Sequence, residues 1–247
     1  MADIADIVNE LTKKYKTKIA VDGISIKVLE GELFALLGVN GAGKTTTIRM
    51  LSCLSTPTEG EAFINGHNCE KEPSVVKEEI GISTQDTAVA ENLTVRENLE
   101  FIARVYGFDK DRLKSRVHEM IEVFKMSEIE NSRAKTLSGG WKRKLSIAMA
   151  LISEPKVLFL DEPTLGLDVL ARRELWRTIE ALKGKITIIL TTHYMEEAEA
   201  LSDRIAIMID GKIATCGTLA EIEALTGKSG LEDAFVEIAE RNGERNA

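Results

Sequence analysis

A glycine-rich segment that directly follows a run of five apolar residues constrains this sequence more than any other feature. The apolar run covers residues 33–37, and a short apolar run bounded by turn residues predicts a strand buried on both faces of a parallel sheet. The segment that follows reads Gly38-Val39-Asn40-Gly41-Ala42-Gly43-Lys44-Thr45-Thr46. This order fits the pattern of a loop that holds phosphate at the start of a helix.

Each residue type in this loop has a chemical reason to be there. Glycines allow backbone N–H groups to curl around the β- and γ-phosphates of a nucleotide, and the helix N-terminus favours an anion. Lys44 adds a positive charge, and Thr45 supplies a hydroxyl group to Mg²⁺. The alternative, an ordinary glycine-rich turn, requires neither a strand before the loop nor a helical pattern after it. We therefore predict a nucleotide site with Mg²⁺.

Two further apolar runs, at residues 157–160 and 186–190, are each followed by polar residues and a helical pattern. Strands that alternate with helices predict a parallel sheet that binds ligands at the carboxyl ends of its strands. The pairs Asn65-Gly66 and Asp210-Gly211 lie between shorter apolar runs and predict antiparallel hairpins. The predicted sheet is therefore mixed.

Amphipathic helical spacing replaces the strand pattern between about Thr94 and Ile152. We predict an α/β fold with a P-loop NTPase core, a mixed sheet, an antiparallel β subdomain and an inserted helical subdomain. The whole chain is expected to form one domain, residues 1–247. Its expected parts are a nucleotide-binding core (1–85 and 153–229), a helical subdomain (86–152) and a C-terminal region (230–247) whose helix ends near Arg241.

Two carboxylates, Asp161 and Glu162, follow the second buried run. Carboxylate oxygens are ligands that Mg²⁺ accepts, and a carboxylate can take a proton from an attacking water. Acidic pairs at strand ends are usually only solvated, but a phosphate-binding loop in the same chain favours a catalytic site. We predict that Asp161 holds Mg²⁺ through its water shell and that Glu162 acts as the general base.

The segment Leu137-Ser138-Gly139-Gly140 precedes another helical pattern. Serine is a common helix cap and glycine a common turn residue, so the segment has an ordinary structural explanation. The same hydroxyl, backbone N–H groups and helix N-terminus also form an anion site without a lysine. We interpret Ser138, Gly139 and Gly140 as a second phosphate site, which meets a phosphate held by another loop.

The composition limits the other classes of partner. A formal charge of -8 argues against nucleic acid, whose binding depends on Lys and Arg contacts to phosphates. Cys53, Cys69 and Cys216 lack metal-ligand spacing, and we expect reduced thiols in a cytoplasmic protein. The sequence has no apolar stretch of about 20 residues and no signal-peptide pattern, so we expect membrane association to require a partner.

Six motifs in this order resemble the ATP-binding-cassette ATPase family, and the resemblance covers nearly the entire chain. Beside the three motifs above, it includes Gln85, the segment 165–168 that ends in Asp168, and His193. The family implies ATP as the nucleotide. It also implies that Gln85 touches Mg²⁺ and the γ-phosphate side, and that His193 orients that phosphate together with Glu162. Asp168 is implied to communicate across a dimer.

Three other features bear on the resemblance. Tyr15 resembles the family's aromatic residue that stacks on adenine, and its alternative is a tyrosine that packs near an edge strand. Trp141 departs from the family, because many members have a polar residue after the two glycines. The basic run 142–144 and the C-terminal segment 231–240 resemble the exporter branch, called ABC-2 type.

The resemblance implies a transporter subunit that works as a head-to-tail dimer. The Lys44 loop of one chain and Ser138 of the other are expected to enclose each ATP. We also expect a separate transmembrane permease, and a location on the cytoplasmic face of the cell membrane through that permease. A short helix of the permease is expected to dock on an apolar face of the helical subdomain. This face comprises Val95, Leu99, Phe101 and Ile102.

Two other functions stay open at this point. Soluble members of the family that act on ribosomes or DNA usually carry two cassettes or a long coiled coil, and this sequence has neither. A small-molecule kinase can use the same phosphate loop, but it needs an acceptor site and has no use for residues 137–140. Phosphate release without a phosphorylated product separates the predicted ATPase from a kinase.

Overall fold

The computed structural model describes residues 4–246. Residues 1–3 and 247, which the predicted domain includes, lie outside the described residues. The described part contains ten strands: β1 (Ile4–Tyr15), β2 (Lys18–Leu29), β3 (Leu33–Leu37), β4 (Glu59–Ile64), β5 (His67–Asn68), β6 (Ile80–Ser83), β7 (Val157–Asp161), β8 (Thr187–Thr192), β9 (Arg204–Ile209) and β10 (Lys212–Gly217).

Nine α-helices lie within the same described range. They are α1 (Lys44–Leu51), α2 (Pro73–Glu79), α3 (Val95–Val105), α4 (Lys110–Val123), α5 (Gly139–Leu151), α6 (Val169–Glu180), α7 (Met195–Leu201), α8 (Leu219–Thr226) and α9 (Leu231–Asn246). Two short 3₁₀ turns, Ser127–Ile129 and Ala134–Thr136, precede α5. The final helix is longer than predicted, because its backbone continues past Arg241 and through Gly243.

Five parallel strands and one antiparallel edge strand form the central sheet, in the order β10-β9-β3-β8-β7-β6. Every residue of β3, β7 and β8 is buried, as the apolar runs predicted. The predicted mixed sheet is therefore confirmed. Because the parallel strands share one direction, the loops that follow β3, β6, β7 and β8 all leave the same edge of the sheet.

A second sheet is antiparallel throughout, with the strand order β2-β1-β4-β5. Its β4–β5 turn is Asn65-Gly66, with φ values of 47° and 82°, and Asp210-Gly211 connects β9 to β10 with φ values of 47° and 83°. Two consecutive left-handed residues are the requirement of the type I′ turn, which matches the twist of a two-residue hairpin. Both predicted hairpins are confirmed.

The phosphate loop lies where the two sheets meet. The Gly211 N–H donates to the Ala42 carbonyl oxygen at 3.0 Å, and the Gly211 carbonyl oxygen accepts from the Asp22 N–H at 2.8 Å. Ala42 belongs to the loop, Gly211 to the β9–β10 turn and Asp22 to β2. The loop is thus bonded through one turn to a strand of the other sheet.

Helices α3, α4 and α5 form the helical region between β6 and β7. Thr94 caps α3 and exchanges hydrogen bonds with Glu97 in a capping box. Val95 and Leu99 are fully buried in the hydrophobic core, so the expected docking face is wrong for these two residues. The amphipathic pattern located an apolar stripe but could not show what covers it. The expected division into core, helical subdomain and C-terminal region stays a prediction.

Some apolar side chains of α3 and its C-terminal cap are nevertheless exposed, among them Phe101, Val105 and Tyr106. No helix within residues 4–246 is both long enough and apolar enough to cross a bilayer.

Candidate active site

The phosphate loop connects β3 to α1 and requires glycine at two positions. Gly43 precedes the first residue of α1 and has a φ of 110°, a conformation that residues with a Cβ rarely adopt. A Cβ at Gly43 would lie 2.4 Å from the Ala20 carbonyl oxygen, and one at Gly38 would lie 2.4 Å from the Met208 carbonyl oxygen. The loop therefore runs against β2 and β9 at distances that only glycine permits.

Lys44 is the first residue of α1, and its side chain folds back over the loop. Its Nζ donates to the carbonyl oxygens of Gly38 at 2.8 Å and Val39 at 3.3 Å. The same atom lies 3.1 Å from Oε1 of Glu162, and both side chains are buried. A buried ammonium needs such partners, because an unpaired charge away from water is costly.

Asp161, the last residue of β7, accepts two hydroxyl hydrogen bonds at Oδ1. Thr45 Oγ1 donates at 3.1 Å and Thr191 Oγ1 at 2.5 Å. Thr191 lies opposite Asp161 in the register of β7 and β8. Thr191 was not among the predicted site residues, although its place at the end of a predicted buried strand was a usable signal.

Glu162 adopts a left-handed backbone conformation, with a φ of 50°. Such a conformation costs about 1–2 kcal/mol for a residue with a Cβ. Its N–H donates to the carbonyl oxygen and the hydroxyl of Thr191, at 3.1 Å each. The carboxylate lies between the Lys44 ammonium and the His193 ring, whose Nδ1 is 2.5 Å from Oε2. Two neighbouring strand ends thus fix the backbone and the side chain of Glu162.

A cavity of about 450 Å³ opens above these residues. Nine of its lining residues were predicted to belong to the site. Lys18 and Ala20 were not, and Leu165 was included only as the first residue of the segment 165–168. The full lining is Lys18, Ala20, Asn40, Gly41, Gly43, Lys44, Thr45, Thr46, Gln85, Glu162, Leu165 and His193. A smaller adjoining cavity of about 240 Å³ contains Asp161 and again Thr45 and Gln85. The side chains of the phosphate loop, the acidic pair, Gln85 and His193 therefore converge.

Tyr15 is about half exposed at the end of β1, next to this cavity but not in its lining. It pairs in register with Lys18, which does line the cavity, and the Lys13 ammonium lies 5.3 Å from the centre of its ring. The predicted contact between Tyr15 and adenine stays a prediction.

Ser138 and Asp168 each cap a helix outside the cavity. The Ser138 hydroxyl accepts from the Trp141 N–H at 3.4 Å at the start of α5. The Asp168 carboxylate accepts from the N–H groups of Leu170 and Ala171, at 3.0 Å each, at the start of α6. The two helix starts adjoin, since a Cβ at Gly140 would lie 3.2 Å from Ala171 Cβ. Ser138, Gly139, Gly140 and Asp168 thus form a group apart from the nucleotide cavity.

The side chains of the three basic residues after Trp141 make different contacts. Lys142 forms an ion pair with Glu91 at 2.9 Å. The Lys144 ammonium contacts Glu174 at 2.7 Å and lies 4.4 Å from the centre of the Trp141 ring. Trp141 therefore packs under a lysine of its own helix, while Arg143 turns inward.

Glu197, on α7, is a buried carboxyl close to this site. Its Oε1 accepts from the indole Nε1 of Trp176 at 2.9 Å. Burial raises the pKa of Glu197 above its ordinary value, and the negative charge of Glu162 raises it further. Hydrogen bonds from Thr192 and Trp176 oppose that rise. Glu197 was not among the predicted site residues, because a glutamate in a polar helical segment resembles a solvated residue.

Comparison with known proteins decides the family. The model of the ABC transporter family matches residues 21–165 of this sequence. The chain belongs to the ABC transporter family. It is therefore an ATP-binding and ATP-hydrolysing subunit of a transporter, with a P-loop NTPase fold. ABC cassettes in general form dimers and work with membrane subunits.

Several relatives of this ABC transporter chain have curated names. It is 41% identical over 228 residues to daunorubicin resistance ATP-binding protein DrrA3 of Streptomyces coeruleorubidus, which covers 92% of this chain and 72% of that protein. It is also 41% identical over 243 residues to doxorubicin resistance ATP-binding protein DrrA of Mycobacterium tuberculosis, covering 97% and 72%. Human phospholipid-transporting ATPase ABCA3 is 42% identical over 203 residues, which are 82% of this chain but 12% of that protein.

Solved structures share the fold of this ABC transporter chain. An ATP-binding subunit of an ABC transporter superimposes with a TM-score of 0.85 at 30% identity, over 95% of this chain and 99% of that one. CbiO1 of Clostridium perfringens superimposes with a TM-score of 0.83 at 29% identity, over 90% and 91%. The predicted fold class is confirmed.

Proposed function

We propose that Glu162 is the general base of ATP hydrolysis in this subunit. The observation that carries the proposal is the position of its carboxylate, between the Lys44 ammonium and the His193 ring in the nucleotide cavity. A carboxylate there can take a proton from the water that attacks the γ-phosphorus. His193 holds that carboxylate and the γ-phosphate in a fixed relative orientation.

Lys44 changes partners when ATP binds. In the structure, its ammonium is shared by two loop carbonyl groups and Glu162. The γ-phosphate is a more highly charged acceptor than any of these, so it draws the ammonium toward itself. When the Lys44 ammonium moves from Glu162 to the γ-phosphate, one oxygen of Glu162 becomes available to the attacking water.

We infer that Mg²⁺ is held by the Thr45 hydroxyl, the Asp161 carboxylate and the Gln85 side chain. Mg²⁺ prefers oxygen ligands, and the Thr45 and Asp161 oxygens lie 3.1 Å apart. Gln85 lines both the main cavity and the adjoining one that contains Asp161. When bound, Mg²⁺ neutralises negative charge that develops on the phosphate oxygens.

The second copy of the chain is proposed to pack head to tail, with its Ser138, Gly139 and Gly140 over the nucleotide cavity. Within residues 4–246 of their own chain, these three residues lie outside the lining of the nucleotide cavity. Directly beside them, Val169 and Leu170 are exposed, and Leu170 has an exposed fraction of 80%. Large apolar side chains in this position support a face that is covered in the dimer. Asp168, which caps the same helix, is proposed to communicate between the two sites.

A transmembrane permease is proposed to dock beside Gln85. A cleft of about 370 Å³ lies there, and it is lined mainly by apolar side chains, including Leu54, Ile82, Ile102 and Tyr106. Such a groove fits a short helix of a membrane subunit. The permease would hold this subunit at the cytoplasmic face of the cell membrane. Co-purification with ribosomes or DNA instead would favour the soluble class of cassette.

The direction of transport is proposed to be export, through an ABC-2 type permease. The curated names of the relatives refer to resistance to daunorubicin and doxorubicin and to phospholipid transport. Those names support a cargo that is apolar or amphipathic. Selectivity for one cargo would belong to the permease, since it forms the transport path.

The test is phosphate release from ATP by the purified wild-type chain and by Glu162→Gln, each with Mg²⁺ and with EDTA. General-base catalysis contributes about 10²–10⁴-fold, so the substitution should reduce the rate by that factor. An unchanged rate would remove Glu162 from the reaction. Phosphate release by the wild type without a phosphorylated acceptor would exclude a small-molecule kinase.

A further inference from the structure

Arg143, on α5, is a buried cation that has no ion pair among the described residues. Its side chain turns inward, and the two terminal nitrogens donate to two consecutive backbone carbonyl groups. Nη1 lies 2.7 Å from the Thr84 oxygen, and Nη2 lies 2.6 Å from the Gln85 oxygen. The planar guanidinium thus holds two neighbouring peptide groups in one orientation.

This arrangement is costly for an arginine. Burial lowers the pKa of Arg143, while the negative charges of Asp161 and Asp86 favour its charged form. A buried charge without an ion pair is usually replaced or neutralised in proteins, because its removal from water is unfavourable. The two short hydrogen bonds to backbone oxygens offset part of the cost of removing this charge from water.

The two carbonyl groups belong to the glutamine loop, which we define as residues 84–90. This loop follows β6 and carries the Gln85 side chain into the nucleotide cavity. Arg143 lies on α5, whose N-terminus carries Ser138, Gly139 and Gly140. One side chain therefore joins the helix of the second phosphate site to the backbone that aims Gln85.

A second contact attaches α5 to the central sheet at a point close to Arg143. Ser83, the last residue of β6, forms a hydrogen bond of 3.0 Å with Ser146, one turn after Arg143 on the same helix. The central sheet is thus attached to α5 at Ser146, and the glutamine loop is attached to it at Arg143. A tilt of α5 about the Ser83–Ser146 contact would move the Arg143 end of the helix and the loop together.

We propose that Arg143 is a positioning residue that couples the second phosphate segment to Gln85. When a partner's phosphate draws Ser138, Gly139 and Gly140 into place, Arg143 carries the backbone of residues 84 and 85 with α5. Gln85 then reaches its position relative to Thr45 and Asp161. This inference rests on the proposed role of Gln85 at the Mg²⁺ site.

The experiment compares Arg143→Met with a matched control, Arg116→Met. Arg116 also donates to two consecutive carbonyl groups, those of Leu151 at 2.5 Å and Ile152 at 3.3 Å, but at the opposite end of α5. The first readout is hydrogen exchange of the amides in residues 84–90, without nucleotide. We expect faster exchange there in Arg143→Met and no change there in Arg116→Met.

The second readout is the Mg²⁺ dependence of ATP hydrolysis. Loss of a residue that orients a metal ligand typically costs roughly 10- to 100-fold in metal affinity or activity. Arg143→Met should raise the Mg²⁺ concentration for half-maximal activity by such a factor, whereas Arg116→Met should not. Arg143→Lys, whose ammonium lacks the planar fork, should have an intermediate effect. If Arg143→Met does not fold, Arg143→Lys carries the same measurements.

A double-mutant cycle with Gln85→Ala decides whether Arg143 acts through Gln85. Residues in one functional unit have non-additive effects, so Arg143→Met should cost nothing further once Gln85 is removed. Full additivity, or unchanged exchange in residues 84–90, would overturn the coupling. If Gln85→Ala alone leaves the Mg²⁺ dependence unchanged, the proposed role of Gln85 fails instead. The exchange data would still report whether Arg143 holds the loop.

Discussion

The Lys44 ammonium and the Glu162 carboxylate lie 3.1 Å apart, and each side chain has an exposed fraction below a tenth. The cation of the phosphate loop and the proposed base therefore neutralise each other's charge. Because the Lys44 ammonium is paired with Glu162, a bound ATP phosphate must compete with this carboxylate for it. Substitutions at Glu162 consequently change both the catalytic step and the binding of nucleotide.

Glu162→Gln should accumulate as an ATP-bound dimer. The amide keeps the shape of the carboxylate, removes the base and no longer competes as an anion for Lys44, so ATP binding survives or improves while hydrolysis slows by about 10²–10⁴-fold. Size-exclusion chromatography with light scattering, with and without ATP, detects the dimer. Adding Ser138→Arg should abolish it, because a bulky cation fills the space that the partner's γ-phosphate needs. A double variant that still dimerises would contradict the sandwich.

Gly43→Ala should eliminate ATP binding and destabilise the chain. The new Cβ would meet the Ala20 carbonyl oxygen at 2.4 Å, in a backbone conformation with a φ of 110°. Backbone strain of this kind costs about 1–3 kcal/mol, and the clash adds to it. Gly107→Ala is the control, since Gly107 has a φ of 73° but nothing within 4 Å of its Cβ position. Denaturant unfolding should show the larger loss for Gly43→Ala.

Tyr15→Ala should weaken ATP binding and leave the rate of hydrolysis at saturating ATP nearly unchanged. The loss of an aromatic stack costs on the order of 1 kcal/mol, which corresponds to several-fold in affinity. Isothermal titration with ATP measures the effect. Phe101→Ala removes another exposed aromatic ring, on α3 and outside the cavity lining, and serves as the control. Equal affinities for the Tyr15→Ala and wild-type chains would exclude Tyr15 from the adenine site.

Tyr106→Glu should uncouple ATP hydrolysis from transport. Tyr106 is exposed at the end of α3 and lines the apolar cleft beside Gln85, so a carboxylate there would disfavour an apolar helix of the permease. Hydrolysis by the isolated chain should not change. Val123→Glu, on α4, places the same charge at an exposed apolar position outside that cleft. Retention of the permease by Tyr106→Glu, with transport intact, would move the docking site elsewhere.

Glu197→Gln should change how stability depends on pH. The folded-state pKa of Glu197 is raised by burial, so its contribution is fully present below the unfolded pKa and is lost as pH rises through the folded value. The wild type should therefore lose free energy of unfolding relative to Glu197→Gln as pH rises above about 4.5. Denaturant unfolding at several pH values measures this difference. Glu196→Gln, at the exposed neighbouring residue, should keep the wild-type dependence.

Much of the fold and the site could be predicted from local pattern. The apolar runs at 33–37, 157–160 and 186–190 identified the buried strands, because a parallel strand covered on both faces requires apolar residues throughout. Each predicted residue that lines the cavity lies in the loop or the first helical turn after such a strand, except Gln85, which follows the short strand β6. Sequence order alone brings these residues together, since parallel strands share one carboxyl edge.

Residues whose roles depend on distant partners could not be predicted. Arg143 was interpreted only as part of a basic run, since nothing local shows that its side chain turns toward carbonyl groups 58 and 59 residues away. Lys18 lines the cavity although it belongs to β2, a strand of the other sheet. Val95 and Leu99 were expected at the surface because helical periodicity gives the direction of an apolar stripe but not the element that packs on it.

The hydrogen bonds that join Gly211 to Ala42 and to Asp22 also have a consequence for how the chain unfolds. Through them the phosphate loop belongs to both sheets, so melting either sheet destroys the nucleotide site. A ligand that binds only the native form raises the free energy of unfolding by RT ln(1 + [L]/Kd). Because the site requires both sheets, unfolding of either sheet is opposed by this same increment. Heating the ATP-loaded chain should consequently give a single cooperative transition that moves as a whole with ATP concentration.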